Sequence, residues 1–95
     1  MSRAAFLHEA STAVVKRFVY ILQSEADPRR FYTGLTSNVK MRLRSHNAGE
    51  CASTVDGRPW RVIVVIAFAD ESKAIRFERY LKSGSGWAFA TRHFR

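Results

Sequence analysis

The feature that most constrains this chain is a continuous apolar run, RVIVVIAF, at residues 61–68. Most of its residues are branched at Cβ, which favours strands, and a run without polar alternation predicts a strand covered on both faces. The chain has 95 residues, enough for one domain with one hydrophobic core. A single small domain built on a β-sheet is therefore expected.

Two shorter apolar runs, FVYIL at residues 18–22 and FYTGL at residues 31–35, precede this strand. A turn-favouring Asp-Pro pair lies between them, so the two runs predict an antiparallel hairpin with a long loop. Residues 1–15 have weak helical character and carry no motif. We expect them to form an N-terminal extension to one domain that comprises residues 16–95.

Signals for a helix follow the hairpin. Thr36 or Ser37 can cap a helix that runs to about Asn47. Residues 48–59 then form a polar loop of a dozen residues. In so small a domain, a loop of this length is more typical of a functional segment than of a passive connector.

A second helix is predicted from Asp70 to about Lys82, where the SGSG segment at residues 83–86 breaks it. Residues 87–94 can form one or two further helical turns. The order of elements is thus β-β-α-β-α with a short terminal helix. This order predicts an α/β fold in which helices pack on a three-stranded antiparallel sheet.

The chain is strongly basic, with 16 Lys and Arg against eight Asp and Glu and a formal net charge of +8. This excess attracts polyanions, so nucleic acid is the leading candidate partner. Membrane binding is not expected, because no segment pairs an apolar face with a basic one and no apolar run is long enough to cross a bilayer. The single cysteine, Cys51, excludes an internal disulfide, and a cytoplasmic protein is expected.

The first predicted helix carries two basic rows. Arg42 and His46 lie four residues apart and fall beside its apolar stripe, which favours a functional role for them. Lys40 and Arg44 form the other row, for which solvation and contact with phosphate are equally good interpretations.

The second predicted helix carries a carboxylate on its apolar side. Ala74, Phe77 and Leu81 mark the apolar stripe, and Glu78 falls within it. A carboxylate in this position is costly unless it is paired or binds a metal ion. An ion pair with Lys82 and a role as a metal ligand are both consistent with the sequence.

Two tyrosines fall on the strands of the predicted hairpin. Tyr20 and Tyr32 can lie near each other if the strands pair, and Gly34 leaves a position without a side chain on the same face as Tyr32. Such a position permits close approach by a ligand or a helix. By themselves, two strand tyrosines are more often packing residues than reactive ones.

Five short motifs occur in a fixed order: VYI at residues 19–21, YTG at 32–34, RLRSHN at 42–47, GRPW at 57–60 and FE at 77–78. Together they resemble the GIY-YIG nuclease family, in particular its compact stand-alone bacterial members. The set is also similar to the N-terminal domain of the nucleotide-excision repair nuclease and to the catalytic subunit of structure-specific branch endonucleases. The first motif departs from the family pattern, because its residues are Val-Tyr-Ile and not Gly-Ile-Tyr.

The resemblance implies a metal-dependent DNA endonuclease that hydrolyses phosphodiester bonds, with Tyr20, Tyr32, Arg42 and His46 as catalytic residues. Arg42 would stabilise charge on the scissile phosphate, whereas the base is left open among the two tyrosines and His46. Glu78 would be the sole protein ligand of one divalent ion, Mg²⁺ or Mn²⁺. Five further residues are expected to contact DNA: Gly34, Thr36, Lys40, Arg44 and Asn47.

Some members of the family place an asparagine after the metal-binding glutamate, and this chain has none after Glu78. The alternative to a nuclease is therefore a nucleic-acid-binding module that has the same fold and cuts weakly or not at all. Structured or damaged DNA is the expected substrate class. The sequence leaves open whether a protein partner or a second copy of the chain takes part.

Overall fold

The computed structural model of the protein describes residues 17–95. Their sheet has three strands: β1 at Arg17–Ser24, β2 at Phe31–Thr36 and β3 at Trp60–Phe68. The strand order is β2-β1-β3, and both pairings are antiparallel. The predicted hairpin and third strand are therefore confirmed. The predicted extension, residues 1–15, lies outside the described residues.

Three α-helices accompany the sheet in this part of the chain: α1 at Val39–Asn47, α2 at Glu71–Leu81 and α3 at Gly84–His93. A short 3₁₀ turn at Val55–Gly57 interrupts the loop between α1 and β3. The predicted order of elements and the α/β fold class are confirmed. Among the helices of residues 17–95, none combines the length and the apolar character needed to cross a bilayer.

Two predicted helix boundaries are wrong. Asn38, and not Thr36 or Ser37, caps α1, because its side-chain oxygen accepts a hydrogen bond from the Met41 N–H. Only Lys82 and Ser83 lie between α2 and α3, so the last helix begins at Gly84, within the segment predicted to be a break. Ser83 caps α3 through the Gly86 N–H, so the remaining glycine and serine residues belong to the first turn of that helix.

The prediction that the third strand is covered on both faces is also wrong. Within the described sheet β3 is an edge strand, and its side chains are mostly half-buried or exposed, with Val65 45% exposed. The central strand is β1, where four consecutive residues, 19–22, are buried. Because buried central strands and half-covered edge strands can both be continuously apolar, the sequence of β3 did not distinguish the two.

The two faces of the sheet have different partners. Val19 and Ile21 of β1 point to one side and pack with Ala74 and Leu81 of α2, together with residues of α3. We call this side the core face. The other side, which we call the tyrosine face, carries Tyr20, Leu22, Tyr32 and Val62 and packs with Val39 and Leu43 of α1.

Candidate active site

A buried hydrogen bond between Tyr20 and His46 lies on the tyrosine face. Tyr20 comes from the middle of β1 and is 1% exposed, and His46 comes from the last turn of α1 and is fully buried. The distance between Tyr20 Oη and His46 Nε2 is 2.9 Å. A proton can pass between a phenol and an imidazole in this arrangement.

The second imidazole nitrogen contacts the long loop that precedes β3. His46 Nδ1 lies 2.8 Å from Oγ1 of Thr54, which is fully buried. The Thr54 hydroxyl also donates to the carbonyl oxygen of Cys51 at 3.3 Å. Both ring nitrogens of His46 are therefore engaged, which fixes the orientation of the ring.

Burial sets the protonation of this pair. Loss of hydration lowers the pKa of His46 below its ordinary value, and the positive charge of Arg42 lowers it further. Burial also raises the pKa of Tyr20 to about 12, against the opposing effect of the nearby Arg42 guanidinium. At pH 7 the imidazole is therefore neutral and the phenol keeps its proton.

Tyr32 completes an aromatic cluster with this pair. Its ring centroid lies 4.9 Å from that of His46 and 6.3 Å from that of Tyr20. Tyr32 is half-buried and so is more accessible than Tyr20. The prediction that the two strand tyrosines lie near each other is confirmed.

Gly34 lies opposite Tyr20 in the pairing of β1 with β2. A Cβ atom at this position would overlap the Tyr20 ring. The space above Gly34, where the sequence permitted close approach by a ligand or a helix, is therefore occupied by the Tyr20 ring. Because Gly34 is buried beneath that ring, its position gives no support to the expected contact with DNA.

Gly34→Ala should destabilise the domain by about 1–3 kcal/mol, the usual cost of overpacking a core, because the added methyl group must displace the Tyr20 ring. A thermal melt measures this loss. Gly84→Ala is the matched control, since within residues 17–95 a Cβ added there meets no atom within 4 Å beyond its chain neighbours and its own helix backbone. Equal melting temperatures for the two variants would mean that the Tyr20 ring moves aside without cost.

Arg42 extends the cluster to the protein surface. Arg42 is exposed, and its interaction with the Tyr20 hydroxyl is the main cause that raises the pKa of Arg42. Lys40 and Arg44 are also exposed. The predicted row of Arg42 and His46 therefore contributes to the cluster, whereas the row of Lys40 and Arg44 faces outward.

Glu78 lies on α2, the helix that packs on the core face of the sheet. Its side chain is 16% exposed, and Oε2 lies 2.6 Å from Lys82 Nζ. Lys82 Nζ in turn lies 5.9 Å from the centroid of the Tyr32 ring. The ion pair that the sequence allowed is therefore present, and Lys82 links Glu78 to the tyrosine face.

The described residues contain no group of three or more His, Cys, Asp or Glu side chains that could hold a metal ion. A metal ion at Glu78 would have one protein carboxylate and would take its other ligands from water and phosphate. Mg²⁺ commonly retains several water ligands, so a single carboxylate fits such a site. The Lys82 ammonium shows that a cation is accommodated beside this carboxylate.

Asn47 and Thr36 have partners within the protein. The Asn47 side chain donates to the Trp60 carbonyl at 3.0 Å and accepts from the Trp60 N–H at 2.7 Å, which fastens α1 to the start of β3. Thr36 Oγ1 accepts from the Asn38 N–H at 3.2 Å. Contacts of Asn47 and Thr36 with DNA stay predictions.

A family model described as the GIY-YIG catalytic domain matches residues 16–87. The chain belongs to the GIY-YIG family. The predicted family is therefore confirmed. Nucleases of this family generally depend on a divalent metal ion. The match covers every residue of the aromatic cluster as well as Arg42 and Glu78.

This GIY-YIG chain is similar to proteins of two kinds. It is 40% identical over 82 residues to the structure-specific endonuclease subunit SLX1 of Candida dubliniensis, a match that covers 79% of the chain and 27% of that protein. It is 35% identical over 69 residues to a UPF0213 protein of Halalkalibacterium halodurans, covering 72% of the chain and 71% of that protein. The predicted enzyme class, a GIY-YIG-type endonuclease, is the class to which the family model and the SLX1 relatives point.

The chain spans between 20% and 30% of the length of the SLX1 proteins from four yeasts. It spans 87% of a UPF0213 protein of Staphylococcus haemolyticus, to which it is 36% identical and which matches 76% of the chain. A solution structure of a UPF0213 protein from Bacillus halodurans matches 70% of each chain at 35% identity, with a TM-score of 0.44.

Two residues of the site were not among the predicted site residues. Thr54 lies in the long polar loop, where no periodicity indicates which side chain turns inward; the loop length was the only signal that this segment has a function. Lys82 was considered only as the partner of Glu78. Its i,i+4 spacing indicated the ion pair, but its position over Tyr32 depends on how α2 crosses the sheet.

Proposed function

We propose that this protein is a metal-dependent DNA endonuclease, and the observation that carries this proposal is the buried Tyr20–His46 hydrogen bond beside Arg42. A purely structural tyrosine would not require a neutral histidine as its hydrogen-bond partner. Arg42 is exposed and interacts with Tyr20, and its planar and permanently charged guanidinium suits a phosphodiester. The arrangement thus offers a proton acceptor and a phosphate-binding group in one place.

In this proposal Tyr20 and His46 act as one proton-accepting pair. Tyr20 has a pKa of about 12, so it is not ionised at neutral pH and is not a base by itself. It can accept a proton from the attacking water as its own hydroxyl proton passes to His46 Nε2. Arg42 would hold the scissile phosphate and stabilise the charge that develops on it. Tyr32, the more exposed tyrosine, would orient the water.

Glu78 would hold one divalent ion, Mg²⁺ or Mn²⁺, with water and phosphate oxygens completing the coordination. When bound, the ion supplies charge stabilisation at the phosphate. Lys82 would have to release the carboxylate, because its ammonium lies 2.6 Å from Glu78 Oε2. The single carboxylate makes Glu78 the one protein side chain on which metal binding would depend.

DNA is the proposed substrate, since the net charge of +8 favours a polyanion and Lys40 and Arg44 face outward beside Arg42. The relatives named structure-specific endonuclease subunit suggest branched or otherwise structured DNA, and the word subunit suggests a protein partner. We therefore propose that the shape of the DNA, rather than its base sequence, selects the site of cutting.

Nicking of a supercoiled plasmid tests the proposal directly. The protein should nick the plasmid with Mg²⁺ or Mn²⁺ and should not do so with EDTA. A panel of duplex, single-stranded, flap and junction DNA then identifies the preferred structure. Binding of DNA without any cutting, with either metal ion and on every substrate, would instead support a non-cutting binding module. The Glu78–Lys82 ion pair favours that second candidate, because it occupies the proposed metal ligand.

The rate of cutting should rise with pH to a plateau, with its midpoint below pH 6.5, the ordinary pKa of histidine. His46 must be neutral to accept a proton, and burial together with Arg42 lowers its pKa. Single-turnover rates between pH 5 and 8 would measure the midpoint, with DNA binding measured at each pH as the control. A midpoint above 6.5 would contradict the assigned role of His46.

A further inference from the structure

We propose that Thr54 is a positioning residue, whose hydroxyl holds His46 in the tautomer that carries its proton on Nδ1 and leaves Nε2 free to accept the proton of Tyr20. The catalytic meaning of this inference rests on the proposed function. The tautomer itself is a property of the folded chain and can be observed without any cutting.

The hydrogen bonds around His46 favour one arrangement of protons. Three hydrogen bonds form one connected series: Tyr20 Oη to His46 Nε2 at 2.9 Å, His46 Nδ1 to Thr54 Oγ1 at 2.8 Å, and Thr54 Oγ1 to the Cys51 carbonyl oxygen at 3.3 Å. A carbonyl only accepts, so the single hydroxyl proton of Thr54 points to Cys51. The Thr54 oxygen then accepts from Nδ1–H, and the bare Nε2 accepts from Tyr20.

The reverse tautomer would lose one of these contacts. If His46 carried its proton on Nε2, its Nδ1 would need the Thr54 proton, and the Cys51 carbonyl would no longer receive it. Nε2–H would also donate to the Tyr20 oxygen and leave no acceptor for the Tyr20 proton. Neutral imidazole in water favours the Nε2–H form, so the protein must impose the other tautomer on His46.

The loop before β3 is built to hold Thr54 in place. The Thr54 carbonyl accepts from the Trp60 indole N–H at 2.7 Å, and the Thr54 N–H donates to the Cys51 carbonyl at 3.1 Å. Three residues further on, the Gly57 carbonyl accepts from the Ser24 hydroxyl at 2.6 Å. The loop is thus fastened to β3 and to β1, and Thr54 is fully buried. This accounts for a polar loop of a dozen residues in so small a domain.

The ¹⁵N shifts of the two ring nitrogens of His46 identify its tautomer. The chain has three histidines, so the His46 signals are assigned by comparison with His46→Gln. At pH 7.5 the wild-type protein should show a protonated Nδ1 and an unprotonated Nε2. Thr54→Ser keeps the hydroxyl and should keep this pattern. Thr54→Val has nearly the same shape without the hydroxyl and should move the proton wholly or partly to Nε2.

The rates at which the variants nick DNA test whether the tautomer matters for catalysis. Thr54→Val should cut at least about tenfold more slowly than the wild type, as part of the roughly 10²–10⁴ that proton transfer contributes, whereas Thr54→Ser should cut nearly normally. Tyr20→Phe should leave the proton on Nδ1, because the hydrogen bond from Nδ1–H to Thr54 does not depend on Tyr20.

Protonated Nε2 in the wild type would overturn the proposal, whether or not the protein cuts DNA and even if Thr54→Val does not fold. The same conclusion would follow if folded Thr54→Val kept the wild-type shifts. If the wild type shows the Nδ1–H form and cuts no DNA, the proposed function fails and the assignment of Thr54 to the tautomer stands.

Discussion

Glu78→Gln should abolish cutting and leave a folded protein that binds DNA. The amide keeps the size of the side chain but removes the charge that a lone metal ligand must supply. The loss of the ion pair with Lys82 should cost little stability, because the Lys82 side chain is 52% exposed and its ammonium stays solvated; i,i+4 pairs are usually worth about 0.3–0.5 kcal/mol. Plasmid nicking measures the activity, and a thermal melt and a DNA titration measure the fold and the binding.

Glu71→Gln is the matched control for this variant. Glu71 is also a carboxylate of α2 and also forms an ion pair, with Arg17 at 2.6 Å. The Glu71→Gln substitution removes the same charge at a position that the proposed site does not use, so this variant should nick DNA at the wild-type rate. Wild-type nicking by Glu78→Gln would show that Glu78 is only the partner of Lys82.

Arg42→Ala should slow cutting by about 10²–10³, the usual effect of removing one donor that stabilises a transition state. Its guanidinium lies at the surface beside Tyr20, where the scissile phosphate would reach the proton-accepting pair. Single-turnover rates at saturating DNA separate this effect from weaker binding. Arg42→Lys keeps the charge but not the planar fork of donors, and it should restore only part of the rate.

Lys40→Ala and Arg44→Ala are the controls on the same helix. Both residues face outward, so their loss should weaken binding and reduce the dependence of affinity on salt by about one unit of slope. Their rates at saturating DNA should stay close to that of the wild type. Equal losses of rate for all three variants would mean that α1 provides a basic surface and no catalytic group.

Local sequence patterns were sufficient to predict most of the fold. The hairpin followed from two apolar runs around a turn. The period of an amphipathic helix placed the Arg42 and His46 row beside the apolar stripe of α1, but it did not indicate that His46 is buried while Arg42 is exposed. The proximity of Tyr20 and Tyr32 required only that the two runs pair with each other. These features depend on neighbours that are close in sequence.

The features that the sequence did not predict depend on contacts between distant segments. The apolar run of β3 has the composition of a central strand, but its place at the edge of the described sheet is decided by the strands that pair with β1. Thr54 faces His46 because Trp60 and Ser24 fasten the loop, and no spacing within the loop indicates this. Gly34 accommodates the ring of Tyr20, a residue of the neighbouring strand.

Tyr20 and His46 lie on the tyrosine face, while Glu78 is carried by a helix packed on the core face. Each half of the proposed site is therefore supported by its own hydrophobic cluster, and Lys82 of α2 lies over the ring of Tyr32 in β2 between them. If the proposed roles hold, substitutions in α2 should alter the affinity for a metal ion without disturbing the Tyr20–His46 pair, and the reverse should hold for α1 and the loop before β3. Natural variation or engineering could then adjust metal binding and proton transfer independently.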